Sequence, residues 1–94
     1  MKLNEDFILK EMKGLDGKST YYAIAVGKTA KNFNGMVKLN ETAAFIWNSI
    51  KNGADSEEKI ASELSKIYAV TAEQVKNDIA EILKTLRAIN AIIG

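Results

Sequence analysis

The stretch Leu39-Asn40-Glu41-Thr42-Ala43-Ala44-Phe45-Ile46-Trp47 sets the strongest limit on the fold, because hydrophobic periodicity changes there. Upstream, apolar and polar residues alternate as in half-buried strands. Downstream, apolar residues recur at the three- and four-residue spacing of one helical face. Asn40 suits the N-cap, where its side-chain oxygen accepts from a free amide of the first turn. Ala43, Ile46, Trp47 and Ile50 then share a face. Such a junction predicts a small sheet before a set of helices.

Two strands are expected ahead of it. Residues 7–13 begin apolar and end in alternation, and residues 20–26 are rich in aromatic and β-branched side chains. Gly14-Leu15-Asp16-Gly17 between them supplies a hairpin turn. A polar connection from Gly27 to Gly35 follows, with Phe33 expected as its core anchor and Asn34-Gly35 as its closing turn. Met36 to Leu39 is then a short third strand.

Three helices follow. The first runs from about Asn40 to Lys51 and ends at Asn52-Gly53, which tolerates left-handed backbone. The second begins near Asp55 or Ser56, with acids favouring its first turn, and shows Ile60, Leu64, Ile67 and Tyr68 as its apolar face. The third opens with a Thr71–Gln74 capping box, flanked by Val70 and Val75 as a hydrophobic staple. Val75, Ile79, Ile82, Leu83, Leu86 and Ile89 then form a stripe roughly 120° wide. The apolar tail from Ala91 is expected as a short strand or packed end. The sum is one α+β domain over residues 1–94 of winged-helix type: a three-stranded antiparallel sheet (about 7–39) followed by a three-helix bundle (about 40–90).

Composition narrows the chemistry. The chain has no cysteine and no histidine, which removes thiol nucleophiles, thiolate metal sites and the commonest general base together. No catalytic residue, metal or cofactor is expected. No apolar run approaches the roughly 18 residues of a membrane span, and the acidic N-terminal segment argues against a signal peptide, so a cytoplasmic protein is expected. Net charge is +1: residues 1–39 carry seven lysines against four acids, residues 55–70 two against four, and the remaining segments balance.

Two binding modes compete. A winged helix can bind DNA, as a regulatory module does, yet the third helix sets Lys76, Lys84 and Arg87 against Glu73, Asp78 and Glu81, a poor phosphate surface. The alternative is peptide binding. A short strand at a sheet edge has unpaired backbone groups that can accept another strand, and an adjoining apolar helix can supply pockets. The same pattern fits a purely structural edge strand.

The junction, preceded by Phe33-Asn34-Gly35-Met36, closely resembles the PqqD family. So do the aliphatic second strand ending in Val26-Gly27, the segment Ile60-Ala61-Ser62-Glu63-Leu64, and Tyr68-Ala69-Val70 before a capped aliphatic helix. The resemblance implies a non-catalytic peptide chaperone, a recognition element for ribosomally made, post-translationally modified peptides. Such a domain binds the leader of a precursor peptide and presents it to a modifying enzyme, often a radical S-adenosylmethionine enzyme. The leader is taken up as a strand beside the third strand, against the third helix. By position this implies Gly35, Met36, Val37 and Lys38 as strand contacts, and Val75, Ile79 and Ile82, flanked by Lys76 and Asp78, as the helix wall. Asn40, Glu41 and Thr42 are expected to be structural. A proline at Val37 is expected to delete a donor offered to the leader. Dimerisation through the same edge is a competing use of the strand.

Overall fold

The computed structural model describes residues 1–27 and 36–93. Its elements are β1 (Lys2–Leu3), β2 (Phe7–Lys13), β3 (Ser19–Ala25), β4 (Met36–Leu39), α1 (Glu41–Lys51), α2 (Glu57–Tyr68), α3 (Ala72–Ala88) and β5 (Ile92–Ile93). The expected anchor Phe33, the turn Asn34-Gly35 and the expected contact residue Gly35 lie outside the described residues.

Among the described residues, strands β2, β3 and β4 form an antiparallel sheet in that order, with β4 at an edge. Its odd-numbered residues Phe7, Leu9, Tyr21, Ala23, Ala25, Val37 and Leu39 pack into a core shared with the helices. This is the expected α+β arrangement of a three-stranded sheet followed by three helices. The sheet has one buried face, so the helices must supply the other half of the core. Trp47, Ile46, Ile60, Leu64, Ile79, Leu83 and Leu86 do so, all fully buried.

The helix ends form as their chemistry requires. Asn40 Oδ1 accepts from the Ala43 amide at 2.7 Å, capping α1, and Ser56 Oγ accepts from the Lys59 amide, capping α2. Thr71 and Gln74 bond reciprocally as a full capping box on α3. Gly53 takes φ +110° just after α1. At the end of α2, however, Ala69 occupies the left-handed region at φ 50°, a position that glycine fills without strain.

Two features depart from the expected pattern. Residues Lys2–Leu3, not foreseen as a strand, pair antiparallel with Ile92–Ile93 and tie the two ends of the domain together. On α2, the buried side comprises Ile60, Ala61 and Leu64, whereas Ile67 is 60% exposed. Ile67 and Tyr68 sit in the last turn of α2, and both are exposed although they continue the direction of the buried stripe.

Two stability tests follow from this packing. Ala69→Gly should raise the unfolding free energy by about 0.5–1 kcal/mol, left-handed strain relieved less the added freedom of the unfolded chain. A urea titration measures it, and a loss of stability contradicts the strained cap. Ile79→Glu should abolish the cooperative urea transition. A carboxylate at a site with 0% exposure costs more than about 4 kcal/mol, most of the margin of a domain this size.

Candidate functional site

The edge of β4 offers backbone groups in a defined register. At one end of the β2–β3 ladder the Val26 amide donates to the Asp6 carbonyl at 2.7 Å; at the other the Gly14 amide donates to the Lys18 carbonyl at 2.9 Å. Both bonds join even-numbered residues in the same register as Ile8↔Ile24 and Lys10↔Tyr22. Bonded and non-bonded pairs alternate along an antiparallel ladder. The odd-numbered residues of β3 therefore face β4, and the bonded pairs there are Ala23↔Val37 and Tyr21↔Leu39. Met36 and Lys38, opposite Ile24 and Tyr22, turn their N–H and C=O groups away from β3 to the open edge.

This register corrects one expectation. The Val37 amide faces inward to Ala23, so a proline at Val37 breaks the domain's own ladder and deletes nothing offered outward. The outward donors belong to Met36 and Lys38.

Beside this edge lies a groove of about 420 Å³ between β4, the start of α1 and α3. Lys38, Leu39 and Asn40 form its strand side. Thr42 and Ala43 line it from α1, and Asp78, Glu81, Ile82, Thr85 and Leu86 from α3. Thr85 Oγ1 donates to the Glu81 carbonyl at 3.1 Å, which keeps that hydroxyl on the helix. Ile82 is half-buried, with Asp78, Glu81 and Thr85 exposed around it.

The expected helix wall is thus only partly placed at the groove. Asp78 and Ile82 line it. Val75 and Ile79 are buried in the core, and Lys76 lies across the helix beside Ser56, Glu57, Glu58 and Glu73, in a second depression of about 450 Å³ between α2 and α3. Asp78 and Lys76 project roughly 160° apart around the helix axis, so only one can face the strand. Of the strand residues, Lys38 borders the groove through its backbone, its side chain standing on the other face of the sheet, while Met36 is exposed and Val37 packs its side chain inward.

Glu81, Thr85 and Leu86 are not among the expected contact residues, although Asp78, Glu81, Ile82 and Thr85 recur at helical spacing and form a second, mixed stripe beside the apolar one. Asn40 and Thr42, expected to be structural, also border the groove, and Asn40 does so while capping α1.

The perturbed titratable groups lie elsewhere. Tyr68 donates to the Glu41 carboxylate at 3.4 Å and meets Phe45 edge-on, 6.1 Å between centroids. Partial burial, then the negative charge of Glu41, pushes its hydroxyl above the ordinary tyrosine value, keeping it protonated at neutral pH. The exposed Asp55 is held below the usual carboxylate range by the hydrogen bond from Lys59, 3.0 Å away. Among the described residues no group of three or more acidic side chains is placed to hold a metal, and no helix is long and apolar enough to cross a membrane.

No curated protein sequence matches the chain. A solved structure described as TbiB1 in complex with the TbiA(beta) leader peptide superposes with a TM-score of 0.72 at 17% identity, covering 100% of this chain and 96% of that one. At that identity the likeness establishes a shared fold. The sequence pattern of the family described as coenzyme PQQ synthesis protein D (PqqD) matches residues 15–92, from the β2–β3 turn through to β5. That match takes in β3, the edge strand, the capped junction and all three helices, and the chain belongs to the PqqD family.

Proposed function

We propose that this domain is a non-catalytic recognition element that captures the leader of a ribosomally made precursor peptide as a fourth strand on β4 and presents the peptide to a modifying enzyme. The observation that carries this reading is the open β4 edge. Two residues turn both backbone groups outward there, directly beside a groove walled by α3. An extended peptide satisfies those groups with its own backbone and places alternate side chains in the groove. Membership of the PqqD family supports the reading, as does a neighbour of the same fold solved with a leader peptide. A radical S-adenosylmethionine enzyme is the proposed recipient. The division of labour suits a chain without histidine or cysteine, which holds substrate and leaves the chemistry to its partner.

Strand addition predicts an asymmetry between neighbouring residues. Take a peptide enriched on the domain from a displayed random library. Lys38→Pro removes an outward donor and sets a ring against the incoming strand. It should weaken binding by at least about tenfold, the size of one or two lost hydrogen bonds, with the far-ultraviolet circular dichroism unchanged. Lys38→Gln, which keeps the amide, should lose clearly less affinity than Lys38→Pro. Calorimetry that finds Lys38→Pro and Lys38→Gln equally tight rules out augmentation at β4.

The DNA-binding alternative gives the opposite electrostatic expectation. On α3 three cations and three acids are exposed together, and a balanced surface releases few counterions from a duplex. A mobility-shift assay at low salt should leave duplex DNA unretarded at micromolar protein. Strong retardation that fades with added salt favours the regulatory module instead.

A further inference from the structure

The groove and the sheet present opposite charges to the two faces of an added strand. On the groove side, Asp78 and Glu81 stand on the α3 wall next to Ile82. Among the described residues neither carboxylate forms an ion pair. On the opposite face of the sheet, the register aligns Lys10, Tyr22 and Lys38 in one row across all three strands. Beside it runs the apolar row Ile8, Ile24 and Met36, whose outer members are about half exposed. No acid occupies either row. The two charge sets come from different elements and lie on opposite sides of the sheet plane.

We infer that β4 selects strands of matching polarity, with a cationic side chain facing the groove and an acidic side chain facing outward beside Lys38. The inference rests on the strand-addition reading and adds the chemistry of the ligand to it. A strand bonded to Met36 and Lys38 places the residues opposite them on the outer face, where the partner of Lys38 sits within direct cross-strand reach. The residues between them face α3, with a lysine or arginine able to reach Asp78 or Glu81 and aliphatic side chains able to cover Ile82. Because side chains alternate, the cation and the acid fall at an odd separation in the peptide, one or three residues apart. An even separation would put both on one face. A slip of one residue exchanges the faces and sets each charge against its like, so the same polarity fixes the register.

The test is a selection of displayed random peptides on the wild-type domain, on Asp78→Asn/Glu81→Gln, and on Lys38→Gln, with Lys38→Pro as a counter-selection. All the substituted residues are exposed, and urea titrations of the variants verify folding. Wild type should enrich peptides with Lys or Arg and Asp or Glu at odd separation. The double variant should lose the basic preference alone, and Lys38→Gln the acidic preference alone. A winning peptide should bind the double variant about fivefold more weakly or worse, the scale of one partly screened ion pair. Enriched peptides that depend on the β4 edge but carry no odd-spaced opposite charges, or that stay the same on the charge variants, overturn the polarity and leave strand addition standing. Enrichment of no peptide, or only of peptides indifferent to Lys38→Pro, overturns strand addition and the polarity with it.

Discussion

The structure depends on one covalent turn, at which a strand becomes a helix with no intervening loop. Leu39 closes β4 with its side chain buried in the core, and Asn40 caps α1 through the Ala43 amide while its carbonyl accepts from Ala44 at 3.0 Å. Within the next seven residues Ala43, Ala44, Ile46 and Trp47 are buried. Strand direction and helix direction are therefore fixed relative to each other by a hydrogen-bonded cap and by buried side chains on both sides of it. The cap is worth about 1 kcal/mol, and the apolar packing that follows contributes more. Because β4 is anchored at this end, its outer edge can stay unpaired without the strand drifting out of register.

An unpaired edge invites uncontrolled association, and charged side chains are a common way to restrain it. Here the edge is short, carries Lys38, and faces a helix wall with two carboxylates. The features that restrain nonspecific pairing are the same ones that can select a strand of the right polarity. Backbone groups supply affinity that is indifferent to sequence, and the side chains on either face supply discrimination. Such a division fits the proposed capture of a leader peptide.

Much of this was legible in the sequence, where local chemistry and fold agree. The junction at Asn40, the Thr71–Gln74 box, the hairpin around Asp16-Gly17 and the edge position of Met36–Leu39 each rest on short-range rules. What was not legible depends on distant parts of the chain. The Lys2–Leu3 pairing with Ile92–Ile93 joins two segments too short to show a period. On α3, the apolar stripe predicts a buried face but is silent on which flank turns toward the sheet. Lys76 and Asp78 are equivalent to periodicity, and the packing of α2 against α3 decides between them. For the same reason Ile79, central in the stripe, proved to be core, while Ile82 at its border reaches the groove.

Strand addition at β4 turns on two backbone amides, and amide hydrogen exchange followed by NMR reads them directly. In the free domain Val37 and Leu39, bonded to β3, should exchange slowly, and Met36 and Lys38 fast. Saturation with a peptide enriched on the domain should bring Met36 and Lys38 into the slow class and leave Val37 and Leu39 there. A bound state in which Met36 and Lys38 still exchange as in the free domain would contradict the account, whatever the affinity of the peptide.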